Sequence, residues 1–413
     1  MKIAYATAAA VIAGIAGVGS FSAALAAGKA LPPLGSAEAA KLPPVDLHLS
    51  VRGGPDPRTL RLDKWQRYDP PHNPRNDAAR QAALVPGGAK LPVWKAQVTV
   101  GSKTYKFSML GKTVLGTGAK TTTVNLVFVP LVFKFKNATF DPAHPFANCS
   151  PADIPTMVAQ SPLLQNVSYK PNGIDVGTSQ FIDLFQRANF WTPYVQTNNP
   201  NYHLLFKATQ APGYAITVKA NASALSCNTG AAGAIASVDI NTFDPNIIQG
   251  QLIPDLTSKG LISPAKIPVF LSYNVIYGGA LGYHFIMNTN AGVQVYGVSA
   301  YLDVGGPSVG GTVPPDVEVL THETGEFTDD PYVNNKTPAW GHTGQVTGCQ
   351  ANLEVGDPLT GQSQTTVAMP NGFTYTVTDL ADFSWFYRES PSIAAAGFYT
   401  MFNFFPSPQG KCK

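Results

Sequence analysis

The stretch Asp316 to Asp330 (DVEVLTHETGEFTDD) restricts the fold more than any other part of this chain. Pro314 and Pro315 precede it, and proline followed by Asp reads as a helix start. Proline is tolerated in a first helical turn, and an Asp carboxylate can accept that turn's unpaired N–H groups. The spacing predicts a short helix from about Val317 to Thr328, with Val317, Leu320 and Phe327 on its buried side. On another face His322 and Glu326 stand four residues apart, with Glu318 a turn earlier in the same stripe.

Charge balance sharpens the question of what that stripe faces. From Ile267 to Tyr387 a single basic residue, Lys336, stands against eleven acidic ones. Carboxylates crowded together repel unless they are protonated, solvated or neutralised by a cation. The plainer alternative is a solvated acidic helix face. The two expectations differ in burial.

His322-Glu323-x-x-Glu326 is the HExxH arrangement with glutamate in place of the second histidine. On a helix such spacing aims two ligands at one ion and leaves Glu323 as the general base. A hydrolytic zinc takes three protein ligands, so a third must fold back from elsewhere. Asn352-Leu353-Glu354-Val355-Gly356-Asp357 offers Glu354 first and Asp357 second, the latter as ligand or as a partner to the imidazole. One nitrogen and two carboxylates favour Zn²⁺ and admit Mn²⁺ or Ca²⁺. His284, which follows an apolar strand, is either a supporting group beside the site or a buried, satisfied histidine. His342, near Trp340 on a long glycine- and proline-bearing excursion, would stabilise an oxyanion. Glu323 and Glu326 as a glycosidase acid and base are disfavoured by the histidine on the same turn. The dispersed basic residues do not imply a nucleic-acid surface.

These residues also resemble a known pattern. Tyr283-His284, His322-Glu323-Thr324-Gly325-Glu326, Asp329-Asp330-Pro331, Trp340 and Glu354-Val355-Gly356-Asp357 are similar to the signature of secreted bacterial proteins and the plant Exordium/phosphate-induced proteins. Those proteins look like relatives of the zincin metallopeptidases, in the branch with glutamate as a ligand. The likeness runs from Gly282 to Pro358, with weaker echoes at Thr178–Trp191. It implies a zincin-like fold, a bound metal and a peptide or protein substrate. The chain departs from zincins at Glu326, where they carry histidine, and from metzincins at Tyr332, where histidine or aspartate would stand.

For the rest, 413 residues with 44% hydrophobic content can bury a large core, while 13% charged residues with 38 Gly and 35 Pro point to a loop-rich exported protein. Residues 1–26 read as a signal peptide, with Lys2 at its positive end and Ala24-Leu25-Ala26 before the cleavage point. No later stretch approaches the ~20 apolar residues of a membrane span, so no membrane association is expected after cleavage. Cys149, Cys227, Cys349 and Cys412 suit two disulfides in a secreted or periplasmic protein, with three pairings open.

Residues 27–90 read as a Pro-rich, basic arm or removable prosegment, a tether as far as Ser50. Residues 91–413 read as one α+β domain, β-rich in its first part, with the metal site at 316–358. Strands are expected at Lys95–Val100, Thr104–Leu110, Thr121–Phe135, His203–Ala208, Tyr214–Ala220, Pro268–Gly278 and Tyr283–Asp303, with Pro130 at a bulge or edge. A loop-rich passage should separate Ala220 from Pro268. Helices are expected from Asp153 to about Gln160, over Thr178–Trp191 and over Leu380–Arg388. The function expected is a secreted metal-dependent peptide hydrolase. The competing expectation is a non-enzymatic exported protein whose metal is structural and which binds polysaccharide or protein through Trp340 and Tyr332.

Overall fold

A near-continuous apolar run, Thr122–Lys134, forms the central strand of an eight-stranded mixed sheet in this computed structural model, which describes residues 30–59, 91–118, 121–278, 280–304, 315–341, 349–410 and 412. The strand has parallel neighbours on both edges. Lys266–Tyr273 lies on one side, and Leu204–Gln210 followed by Tyr214–Val218 on the other. Strands covered on both faces read as unbroken apolar runs, which is why this one shows little alternation. Pro130 sits where the neighbour changes from Leu204–Gln210 to Tyr214–Val218. The ladder is interrupted there, so the irregularity a proline needs occurs inside the sheet.

From Lys266–Tyr273 the sheet continues through the parallel Gly292–Tyr301 to the antiparallel Gly282–Thr289, its last strand. At the opposite end the last strand is Val45–Val51, parallel to Tyr214–Val218. This corrects the expected tether. Val45, Leu47, Leu49 and Val51 alternate with polar residues along the strand, whose pairing shifts register between Asp46 and Leu49. Of the basic arm, Arg52 pairs with Asp239 and Arg58 with Asp56, both away from the acidic stretch. The signal segment and residues 60–90 lie outside the described residues.

The passage after Ala220 is also more regular than expected. It carries strands Ser223–Ser226 and Ala232–Val238 and a helical run from Ile240 to Ser258, started by Asp239 accepting from Asn241 N–H. Its strands are rich in Ala, Ser and Gly, which give almost no hydrophobic period. The helix expected over Thr178–Trp191 is Phe181–Asn189, because Gly177–Ser179 pairs with Val167–Tyr169 instead. Ile154–Ala159 follows its sequence signal closely, with Asp153 accepting from Thr156 N–H. The Leu380–Arg388 helix shrinks to Phe383–Phe386.

The disulfides join Cys149 to Cys227 and Cys349 to Cys412, which points to an oxidising extracellular environment. No helix among the described residues is long and apolar enough to cross a membrane. Trp340 and Tyr332 are core residues, 0% and 1% exposed. Neither offers the stacking surface that polysaccharide binding through them would need.

Candidate metal centre

The helix anticipated from the Asp316 stretch spans Glu318–Asp329, and every residue on it is buried. That excludes a solvated acidic face. The helix packs against Gly292–Tyr301, Gly282–Thr289 and Thr374–Thr378. Phe327 lies over Gly297 and meets Phe206 edge-on. A helix this polar survives burial because its hydroxyls turn inward: Thr321, Thr324 and Thr328 donate to the carbonyls of Glu318, Leu320 and Thr324.

Asp316 is not the helix cap that its position suggests. It adopts a left-handed backbone, and its carboxylate accepts from the N–H groups of Val317 and Thr376. The helix start is thereby tied to the Thr374–Thr378 strand.

Two histidines face one group of carboxylates. His322 turns Nε2 toward Glu326 Oε1 at 3.0 Å and Asp357 Oδ1 at 3.7 Å. Its Nδ1 meets the Thr360 hydroxyl at 3.2 Å. His284, from the last strand of the sheet, turns Nδ1 toward Glu326 Oε2 at 3.6 Å and Glu323 Oε2 at 3.7 Å, while its Nε2 lies 3.9 Å from Glu354 Oε2. Potential donor atoms of His322, Glu326 and Asp357 fall within 4.8 Å of one another, as do those of His284, Glu323 and Glu326. Of the two third-ligand candidates, Asp357 therefore stands by His322, and Glu354 stands by His284. His342 lies outside the described residues.

The backbone explains how Glu354 and Asp357 arrive. At the end of the helix Asp330 accepts from Asn334 and Asn335 N–H, which folds the chain into a turn. Asn335 C=O then accepts from Leu353 N–H, and Val355 C=O accepts from Ala381 N–H. Pinned at both points, the segment brings the N–H groups of Gly356 and Asp357 to Glu326 Oε1 at 3.3 and 3.2 Å. Gly356 is required by proximity: a Cβ there would stand 2.5 Å from His322 Nδ1. Gly282 is required likewise, since its Cβ would lie 2.8 Å from Glu323 Cγ.

Sequence reasoning missed Thr360, whose only signal is its place three residues after Asp357. It also missed Asp244, which sits apart from this group. Tyr283 points away from His284, as adjacent strand residues do, and its hydroxyl joins those of Tyr296 and the Gln249 amide in donating to the Asp244 carboxylate.

The two histidines and the four carboxylates around them are each 4–7% exposed. Burial pushes the Glu323 carboxyl up to about 7, against the nearby His284 imidazole, which lowers it. Burial acts upward on Glu326 too, but the charge of His322 and the closeness of both imidazoles outweigh it and hold that carboxyl well below the usual range. On the imidazoles burial works downward and loses: Glu354 and Glu323 raise His284, and Glu326 raises His322, well above the ordinary value.

Protons do not satisfy the whole group. Glu323 Oε2 and His284 Nε2 are buried with no hydrogen-bond partner among the described residues. A buried polar atom left so costs about 1–3 kcal/mol. Carboxylate oxygens and imidazole nitrogens converging in a buried space are the donor set that Zn²⁺ or Mn²⁺ takes. A divalent cation fits these residues. The other convergence of potential donors, Cys149 and Cys227 with Asp303, offers no thiolate because its sulfurs form a disulfide.

No family model matches the chain, and neither a curated protein nor a solved structure is similar enough to match it.

Proposed function

We propose that this chain is an exported, zincin-like metal-dependent hydrolase acting on peptide bonds. His322, Glu326 and Asp357 hold a divalent cation, zinc in preference to manganese or calcium, and Glu323 is the general base. One observation carries the reading. His322 Nε2 faces carboxylate oxygens of Glu326 and Asp357, while the adjacent Glu323 keeps a buried oxygen without a hydrogen-bond partner.

A cation held there supplies Lewis acidity, acidifying water and polarising a carbonyl. The protein's own groups do the rest. Thr360 fixes the ring of His322 through Nδ1 and so keeps Nε2 directed at the cation. The N–H groups of Gly356 and Asp357 orient Glu326. Glu323 takes a proton from water and passes it to the leaving amine. Burial pushes its carboxyl up to about 7, which suits a group that acts as base and acid in turn near neutral pH.

A peptide is preferred over other substrates because His284 lies on the sheet's terminal strand, Gly282–Thr289. An extended peptide can lie beside such a strand and present a carbonyl to the ion. The two disulfides support a role outside the cytoplasm.

The test is metal content by elemental mass spectrometry on protein purified without chelator, beside the His322→Ala and Glu323→Gln variants, followed by a peptide-library cleavage assay. The proposal expects bound metal in the parent, its loss in His322→Ala, and retained metal with no cleavage in Glu323→Gln. A parent without metal, or a Glu323→Gln variant that still cleaves, overturns it.

A further inference from the structure

We infer that the buried cluster is a two-cation centre, bridged by Glu326, in which His284 and Glu323 hold a second divalent ion beside the one held by His322 and Asp357. It rests on the hydrolase reading for the first ion alone.

The two oxygens of Glu326 serve different imidazoles: Oε1 lies 3.0 Å from His322 Nε2, and Oε2 lies 3.6 Å from His284 Nδ1. A carboxylate placed between two imidazoles in this way is a bridging group in search of two ions. Each imidazole turns one nitrogen toward the carboxylates. On the far side Thr360 Oγ1 stands 3.2 Å from His322 Nδ1, whereas His284 Nε2 is buried without a hydrogen-bond partner among the described residues, 3.9 Å from Glu354 Oε2. A single ion at His322 would leave the polar atoms around His284 unsatisfied.

Unsatisfied valence and charge agree. Glu323 Oε2 is buried and unpartnered, 3.7 Å from His284 Nδ1, so it already points at the second position. Among the described residues neither Glu323 nor Glu326 is paired with a lysine or arginine. Helix and strand supply the donors, and both are rigid elements of the sheet layer.

The two ions differ in consequence. The first assembles the hydrolytic site. The second engages Glu323 Oε2, the atom needed for proton transfer, so excess cation suppresses turnover instead of adding to it.

The experiment is titration of the chelator-stripped full chain with Mn²⁺, followed by calorimetry and electron paramagnetic resonance. The expected result is about two equivalents bound, with an exchange-coupled signal appearing only after the first is filled. Glu323→Gln is nearly isosteric and should fold; it should keep the first equivalent and lose the coupled signal, and His284→Ala should do the same. Saturation of the parent at about one equivalent, with only the uncoupled single-ion signal and no change in Glu323→Gln, overturns the second ion and leaves the hydrolase reading standing. No Mn²⁺ binding in the parent overturns both.

Discussion

Nε2 of His322 lies 3.0 Å from Oε1 of Glu326, four residues later on one fully buried helix. Two groups so close in a low-dielectric setting are held together by a shared proton or by a shared cation. The third member of the set decides which replacement hurts binding most. Asp357 Oδ1 stands 3.7 Å from that same nitrogen, whereas Glu354 reaches the other histidine. Asp357→Asn is therefore expected to weaken the first equivalent of Zn²⁺ by well over 100-fold. Glu354→Gln should weaken it less, by about 10–100-fold, the scale of an outer partner. Competition against a chromogenic chelator measures both, and equal losses would remove Asp357 from the ligand set.

Gly356 gives a steric test of the same site. A methyl group there would stand 2.5 Å from His322 Nδ1 and 2.6 Å from Cε1, so the ring must move. Gly356→Ala is expected to abolish metal uptake and to destabilise the fold by about 1–3 kcal/mol, the range for overpacking. Gly116→Ala is the control, since a Cβ there meets nothing within 4 Å. If urea denaturation and metal content show Gly356→Ala to be as benign as the control, the close packing of Gly356 on His322 is wrong.

Trp340 should behave as a core residue. Its ring packs edge-on to Trp385 and Phe386, and its Nε1–H donates to Asn352 C=O at 3.0 Å, two residues before Glu354. Trp340→Ala is expected to cost about 3–5 kcal/mol, as for other large buried aromatics, with metal affinity falling as the Glu354 segment loosens. Denaturation with and without Zn²⁺ measures this. A loss below about 1 kcal/mol would place Trp340 at the surface.

The helix and its polar stripe were legible because proline, the periodic apolar positions and the i, i+4 ligand spacing all act within one turn or two of the chain. The order of Glu354 and Asp357 was not. Which of them reaches His322 depends on a turn made by Asp330 and Asn335 and on Leu353 pairing with Asn335, contacts that no local pattern encodes. The Val45–Val51 strand alternates throughout but adjoins an Ala- and Pro-rich stretch that reads as a tether, and Ala232–Val238 was hidden by side chains too small to mark a face. Asp316 misled for another reason. Its carboxylate suits a helix cap, but a distant strand offered Thr376 N–H, and tertiary pairing won.

The last prediction concerns pH. Burial is the largest cause in each of four raised carboxyls: Asp316 and Asp329 are pushed up to about 7, and Asp244 and Asp379 to about 6. A carboxyl with a higher pKa in the folded state keeps its proton where the unfolded chain has released it. The stability this provides is complete below the unfolded value, near 4, and is lost as pH climbs through 6 and 7. The raised imidazoles of His284 and His322 act in the same sense, their contribution disappearing as pH rises through their folded values. Glu326, held low, acts the opposite way, but its contribution is lost only on acidification and is constant from pH 5 upward. In EDTA the melting temperature should accordingly be higher at pH 5 than at pH 8, by about 5 °C or more. Zn²⁺ added at pH 8 should recover that difference, because a ligand that binds only the native state stabilises it. A melting temperature in EDTA that is flat or higher at pH 8 would mean that these carboxyls keep their charge in the folded protein, and that some other cation, not a proton, neutralises them.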